Sequence, residues 1–150
     1  MIIGECRGAE ALDMLQAMNS GHDGSLTTVH ANDTRDALGR LEMMVGMAGF
    51  DIPMWVIRRQ ISGAIQIVVQ VSRLIGGPRK VLKISEVTGM EGDNFVMHDL
   101  FGFKQTGVDD RRMAQGYFFA GGIRPHCLER LQAYGLNFPP QFFERRMLGA

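Results

Sequence analysis

The sequence predicts an α/β fold, because a strand, a helix and a second strand follow one another near the amino terminus. The apolar run "MII" ends at Gly4 and Glu5, as a buried strand of a parallel sheet does. Apolar residues then recur with helical spacing up to the stop signal "NSG": Ala11, Met14, Leu15 and Met18. The β-branched stretch "SLTTVHA", residues 25 to 31, lies between the turn-forming "GHDG" and the capping group "NDT" and predicts the second strand.

Two further helices follow this βαβ unit. The first of them begins near Asn32 to Thr34 and ends at Gly49, and the other begins at Pro53, a residue suited to the first helical position. Their predicted apolar faces are Ala37, Leu41, Met44, Val45 and Ala48 in one helix, and either Trp55 or Val56 with Ile57, Ile61 and Ile65 in the other.

The remaining sequence predicts an antiparallel β addition followed by short helices. "QIVVQVSRL" predicts a strand, and "KVLKISEVTGM" and "NFVMHDLFGF" predict two more strands joined through "EGD". The polar stretch "KQTGVDDRR" predicts a loop, and "GYFFAGG" predicts a short strand. Pro125 should begin a helix that ends at Tyr134, with Gly135 as its C-cap, and "PPQFFERRML" predicts a last short turn of helix.

Composition narrows the class of protein. With 150 residues, 45% of them apolar and 21% charged, the chain is long enough for a globular domain with a core. Sixteen basic and sixteen acidic residues cancel, which disfavours a dominant nucleic-acid or membrane interaction. No apolar run approaches the ~18 residues of a membrane span, so we expect a soluble, cytosolic protein. Cys6 and Cys127 lie far apart in sequence, and we expect both to be reduced thiols.

Polar side chains follow the two strands of the βαβ unit. The first strand is followed by Glu5 and Arg7, and the second carries Thr28 and His30, whereas His22 precedes the second strand and should lie at the opposite end. Ligands of open α/β sheets bind at the carboxyl ends of the strands. A carboxylate beside a polar side chain there suits phosphate-anhydride hydrolysis, in which the acid holds the magnesium shell or orients the attacking water. The alternative is a structural role, because apolar strands ending in Gly-Glu occur widely.

The amino-acid sequences of several segments make the functional prediction more specific. "IIGECRG", "GHDGSLTTVHAN" and "DALGRLEMMVGMAG" closely resemble the bacterial type II/type IV secretion ATPases, and most closely the CpaF-type ATPases of tight-adherence (Flp) pilus assembly. The resemblance continues through "SEVTGMEGD" and "GIRPHCLERLQAYG" to "FPPQFF". It implies a RecA-like P-loop NTPase core that assembles into a hexameric ring. We assign residues 1–105 to the carboxyl-terminal half of this core and residues 106–150 to a carboxyl-terminal extension of the same domain.

The same resemblance implies roles for the residues at the strand ends. Glu5 matches the Walker B glutamate, which serves Mg²⁺ or the attacking water, and Arg7 matches the arginine after it. His22 and His30 match the two histidines of the family's histidine box. We therefore expect Glu5, Arg7 and His30 to be catalytic and Glu5 to contact Mg²⁺ indirectly, and we expect Thr28, at the end of the second strand, to contact the ATP. The resemblance also assigns His22 to the nucleotide site, whereas its position before the second strand places it at the opposite end of the sheet; a packing or subunit-contact role for His22 would satisfy both.

One departure from the family pattern is the missing phosphate-binding loop. The lysines are Lys80, Lys83 and Lys104, and none follows a glycine, so the G-x-x-x-x-G-K-[ST] motif is absent. Only three residues precede Gly4, whereas a strand usually has about five or six. We therefore interpret the chain as the carboxyl-terminal half of such an ATPase, beginning inside the Walker B strand and unable to bind or hydrolyse MgATP alone.

The family also implies partners and a location. We expect self-association, as a hexamer in the whole ATPase, and binding to secretion or pilus platform proteins of the inner membrane from the cytoplasmic side, without direct contact with nucleic acid. Two alternatives remain open. The chain could be a non-enzymatic oligomerisation or partner-binding module without a nucleotide site, or part of a motor with another cargo, such as DNA in conjugation.

Overall fold

The computed structural model describes residues 1–149, and the chain forms two compact units. The first unit contains Met1–Gln66 and Val87–Val96, and the second contains Ile67–Glu86 and the residues from Met97 onward. Residue 105, where we predict the core to end, lies within a strand of the second unit. The division at that residue stays a prediction.

The first unit contains the predicted strand, helix and strand followed by two helices. Its elements are β1 (Ile2–Ile3), α1 (Glu10–Asn19), β2 (Leu26–Thr27), α2 (Thr34–Gly46) and α3 (Met54–Ala64). Strand β2 is shorter than the predicted residues 25 to 31. The reason lies in its partner, because the parallel pairing of Ile2 with Leu26 and of Ile3 with Thr27 ends where β1 ends.

The ends of α2 and α3 follow from their capping residues. Asp33 caps α2 by accepting hydrogen bonds from the N–H groups of Arg35 and Asp36, at 2.8 and 2.7 Å, which confirms the predicted start. The helix ends at Gly46, three residues before the predicted Gly49. Pro53 precedes α3 as its N-cap rather than occupying the first helical position.

The core of the first unit is formed by the inward faces of the three helices. Leu15, Leu38 and Ile61 are fully buried, and each such side chain contributes about 1.5–3 kcal/mol through removal from water. The predicted face of α2 omits Leu38 and includes Ala37, which is only half-buried. Trp55 is exposed and Val56 is half-buried, so Trp55 does not belong to the core face of α3.

The second unit is built on a five-stranded antiparallel sheet. Its strands, in spatial and sequence order, are β3 (Ile67–Arg73), β4 (Arg79–Glu91), β5 (Asn94–Val108), β6 (Ala114–Ala120) and β7 (Arg146–Gly149). The tips of β4 and β5, residues 87–96, belong to the first unit and are joined by a two-residue turn, as predicted for "EGD".

The predicted loop "KQTGVDDRR" is wrong for its first half. Strand β5 continues to Val108, which pairs with Ala114 at the start of β6. Polar residues such as Gln105 and Thr106 are exposed here, so their side chains remain hydrated while their backbone pairs with the neighbouring strand. The connection between β5 and β6 therefore contains only residues 109–113.

A buried carboxylate holds the start of the short helix α4 (Leu128–Ala133). Glu86 on β4 is 2% exposed, and it accepts hydrogen bonds from the N–H groups of His126 at 2.9 Å and Cys127 at 2.8 Å. The helix begins three residues after the predicted Pro125, because Pro125, His126 and Cys127 form the turn that presents these N–H groups. It ends before Gly135, whose positive φ of 79° suits glycine.

The last predicted helical turn is shorter than expected. Pro140–Phe142 forms one turn of 3₁₀ helix, and Arg146–Gly149, of which Arg146, Met147 and Leu148 were predicted as part of the helical turn, form β7, which pairs with β6. Residues 1–149 include no helix that is both long and apolar enough to cross a membrane.

Candidate functional site

The candidate site lies where β1 and β2 end. Beyond the paired residues, the Cys6 N–H donates to the Thr28 carbonyl at 2.9 Å, and the Thr28 hydroxyl donates to the Gly4 carbonyl at 2.5 Å. These two bonds keep the segments together after the regular pairing ends. The side chains that follow each strand are therefore presented at one edge.

Three of the predicted site residues meet at this edge. His30 Nε2 lies 2.9 Å from Glu5 Oε1, and the Arg7 guanidinium donates a hydrogen bond to Glu5 Oε2. The Glu5 side chain is 23% exposed, whereas those of Arg7 and His30 are 77% and 89% exposed. A sheltered carboxylate thus lies between two accessible nitrogen groups. The predicted proximity of His30 and Glu5 is confirmed, and the catalytic roles of the three residues stay predictions.

The charges at the site keep Glu5 ionised. The hydrogen bond from Arg7 lowers the pKa of Glu5, and the charges of Arg7 and of protonated His30 act in the same direction, although partial desolvation opposes them. Glu5 in turn raises the pKa of Arg7. At neutral pH Glu5 is therefore a hydrogen-bond acceptor, with two cationic or donor groups directly beside it.

Glu10, which the sequence reasoning missed, holds the loop that carries Glu5 and Arg7. This first residue of α1 accepts hydrogen bonds at Oε1 from the N–H groups of Arg7, at 2.7 Å, and Gly8, at 3.1 Å. The bond from the Arg7 N–H lowers the pKa of Glu10. An acid at the start of a helix, two residues after a glycine, was the signal that could have revealed it.

His22 and Thr28 have other surroundings. His22 Nδ1 lies 3.0 Å from the Ala17 carbonyl oxygen and 3.3 Å from the Ser20 hydroxyl, so the ring packs against the end of α1. The Thr28 hydroxyl donates a hydrogen bond to the Gly4 carbonyl oxygen. The predicted contacts of His22 and Thr28 with ATP stay predictions.

The residues at the site bear on how Mg²⁺ would bind. Among the 149 described residues, no group of three or more His, Cys, Asp or Glu side chains is placed to hold a metal ion. Glu5 is a single carboxylate that already accepts hydrogen bonds from its neighbours. This donor set fits Mg²⁺ that is bound chiefly by water and substrate phosphates with one carboxylate nearby, as is common for this ion.

The family described as Type II/IV secretion system protein matches residues 1–110. The chain belongs to this family, which confirms the predicted superfamily. The assignment to the CpaF type stays a prediction.

Individual proteins similar to this chain have names from conjugal transfer and type IV secretion. A Mycobacterium tuberculosis protein whose name assigns it to conjugal transfer is 35% identical over 92 residues, which are 61% of this chain and 26% of that protein. The type IV secretion system protein PtlH of Bordetella pertussis is 38% identical over 78 residues, 51% of this chain and 23% of that protein. The chain spans about a quarter of the length of these relatives.

One similar solved structure is that of the VirB11 ATPase from the Brucella suis type IV secretion system in complex with sulphate. The two structures superimpose with a TM-score of 0.52 at 32% sequence identity, and the matched region covers 55% of this chain and 26% of the VirB11 chain. The predicted fold class is therefore confirmed: an α/β chain with an antiparallel addition, consistent with the carboxyl-terminal part of a RecA-like ATPase.

Proposed function

We propose that this chain is the carboxyl-terminal part of a hexameric ATP-hydrolysing motor that powers type II or type IV secretion or pilus assembly. The observation that carries this proposal is the contact of Glu5 with both His30 and Arg7 at the carboxyl ends of two parallel strands. Membership of the secretion family supports it. The longer protein that the proposal implies is called the parent protein below.

Each side chain of the site has a task in this proposal. Glu5 orients the attacking water, because an ionised carboxylate accepts hydrogen bonds from it. Because Arg7 lowers the pKa of Glu5, the carboxylate is a weak base. We therefore assign Glu5 to positioning the attacking water rather than to accepting a proton from it. Arg7 and His30 are accessible and would donate to the charge that develops on the transferred phosphoryl group. Mg²⁺, when bound with the nucleotide, neutralises charge on the β- and γ-phosphates.

The proposal assigns nucleotide capture to the parent protein outside this chain. Most of the affinity for a triphosphate comes from backbone N–H groups and a lysine wrapped around the phosphates. None of Lys80, Lys83 and Lys104 follows a glycine, as the lysine of such a loop does. Glu5 repels a triphosphate, and Arg7 offsets that charge without enclosing the phosphates.

The experiment compares the purified chain with the parent protein. Calorimetric titration with MgATP and a phosphate-release assay should detect neither tight binding nor turnover for the chain, and both for the parent protein. Micromolar binding by the chain would show that another loop, such as "IGGPRK", supplies a phosphate site. A parent protein that carries a P-loop and yet does not hydrolyse ATP would overturn the motor proposal.

A second candidate function is a non-enzymatic module that assembles with other copies or with a partner. It is favoured by β3, an edge strand that presents Val69 and Val71 at 52% and 57% exposure. Open edges with apolar side chains favour association with another strand. Both candidates lead us to expect self-association, measured as a mass above that of the monomer in light scattering over a wide concentration range. A compact monomer throughout that range would contradict it.

The cargo and partners of the motor are further parts of the proposal. The CpaF-like wording favours pilus assembly with inner-membrane platform proteins, whereas the names of the relatives favour conjugal transfer or type IV secretion. The balanced charge of the chain disfavours direct threading of nucleic acid. Deletion of the parent gene, scored separately for pili, protein secretion and plasmid transfer, would distinguish these cargoes.

A further inference from the structure

We propose that Glu10 is a positioning residue, which sets the backbone of residues 7 and 8 and thereby holds the Arg7 side chain against Glu5. The inference deepens the proposed function and rests on it for the catalytic consequence. Its structural basis is the pair of hydrogen bonds that Glu10 Oε1 accepts from the N–H groups of Arg7 and Gly8.

Two residues bind successive parts of this loop. Thr28 binds the backbone of Gly4 and Cys6, at the end of the first strand. Glu10 binds the next two N–H groups along the chain, those of Arg7 and Gly8. The loop therefore has fixed backbone directions on both sides of the Arg7 side chain.

Arg7 depends on that backbone for its direction. Its side chain is 77% exposed, so little packing surrounds it, and its guanidinium reaches back over two residues to Glu5. An exposed arginine side chain can adopt many rotamers, so few other contacts would keep its guanidinium in place if the loop moved. Release of the Arg7 N–H would therefore allow the guanidinium to leave Glu5.

The length and charge of Glu10 suit this task. A charged acceptor makes stronger hydrogen bonds to N–H groups than a neutral one, and the start of α1 favours a negative charge. A Cβ added at Gly8 would lie 3.2 Å from Glu10 Oε2, so the carboxylate lies directly over this glycine. Aspartate is one methylene shorter and would not reach both N–H groups from the same position.

The first test uses this chain alone and is independent of ATP hydrolysis. Hydrogen exchange of the Arg7 and Gly8 amides is measured by NMR in the wild-type chain, in Glu10→Ala and in the control Asp13→Asn. Asp13 is also an exposed acid in the first turn of α1, so the control removes the same charge. We expect exchange at both amides to accelerate at least about tenfold in Glu10→Ala, as for an opened hydrogen bond, and to be unchanged in the control.

Unchanged exchange at Arg7 and Gly8 in Glu10→Ala would overturn the inference. Circular dichroism shows whether α1 is retained in each variant. Loss of the helix in Glu10→Ala together with fast exchange would assign Glu10 to helix stability, which would also overturn the positioning role.

The second test measures steady-state hydrolysis by the parent protein. If Glu10 positions Arg7 and Glu5, Glu10→Ala should lower kcat about tenfold to a hundredfold and leave KM for MgATP within about twofold. Glu10→Gln, which keeps one acceptor oxygen in place, should recover part of the lost kcat. An unchanged kcat, or a raised KM with normal kcat, would contradict the catalytic part of the inference.

The two tests separate this inference from the proposed function. A wild-type parent protein without turnover would overturn the motor and the catalytic part of the inference together. The structural role of Glu10 in positioning the loop would then be tested by the amide exchange alone.

Discussion

His30 Nε2 lies 2.9 Å from Glu5 Oε1, and this contact joins residues that follow two different strands. It exists because β1 and β2 are parallel, so that their carboxyl ends meet at one edge. The Arg7 guanidinium occupies the other oxygen of the same carboxylate. Each carboxylate oxygen of Glu5 therefore contacts a different side chain, one His30 and the other Arg7.

Replacement of Glu5 tests the centre of this arrangement. Glu5→Gln in the parent protein should preserve nucleotide binding and lower turnover by about two or more orders of magnitude, because the carboxylate acts on water or metal and not on the base or ribose. Phosphate release and MgATP titration measure the two quantities. Asp13→Asn, which removes an exposed acid in the first turn of α1, serves as the control for the loss of one negative charge. Turnover close to wild type in Glu5→Gln would remove Glu5 from the mechanism.

The two histidines should differ in their effect on turnover. His30→Ala should lower kcat at least about tenfold, since the ring contacts Glu5, whereas His22→Ala should change it less. His22 packs against the end of α1, so its replacement is expected to act on stability or assembly. A larger loss of kcat in His22→Ala, with the assembly intact, would contradict this order.

The loop held by Glu10 should open in acid. The hydrogen bonds from Arg7 and Gly8 lower the folded-state pKa of Glu10, so its stabilising contribution is complete above the ordinary glutamate pKa of about 4.3 and is lost as the pH falls through the lowered folded value. The amide chemical shifts of Arg7 and Gly8 should therefore titrate together with a midpoint below about 4.3. A midpoint above that value would indicate that the carboxylate does not bind these N–H groups.

Glu86 should be important for the stability of the second unit. Glu86→Ala removes the acceptor for the N–H groups of His126 and Cys127, and an unsatisfied N–H costs about 1–3 kcal/mol. Denaturant unfolding should show a loss of that order, and Glu86→Gln should lose less. Glu144→Ala, which replaces an exposed acid of the same unit, is the control and should change the unfolding free energy by less than about 0.5 kcal/mol. Equal stability of Glu86→Ala and this control would refute the assignment.

Local patterns predicted the elements best where neighbouring residues determine them. The helical spacing of Ala11, Met14 and Leu15 matches α1, and Asp33 caps α2 where the capping group "NDT" predicted. The sequence patterns predicted the lengths of strands β2 and β5 incorrectly, because the length of a strand depends on the strand with which it pairs. Strand β2 stops where β1 ends, and β5 extends to Val108 because β6 pairs with it.

The sequence by itself determined the family, the βαβ order and the meeting of Glu5 with His30, because parallel strands joined by a helix must carry their ends to the same edge. Only the tertiary structure decided which atoms meet there. The Glu10 carboxylate turns back to the N–H groups of Arg7 and Gly8, and Glu86 reaches the start of a helix far along the chain. Such bonds depend on side-chain direction and on contacts between distant segments, which residue spacing alone does not specify.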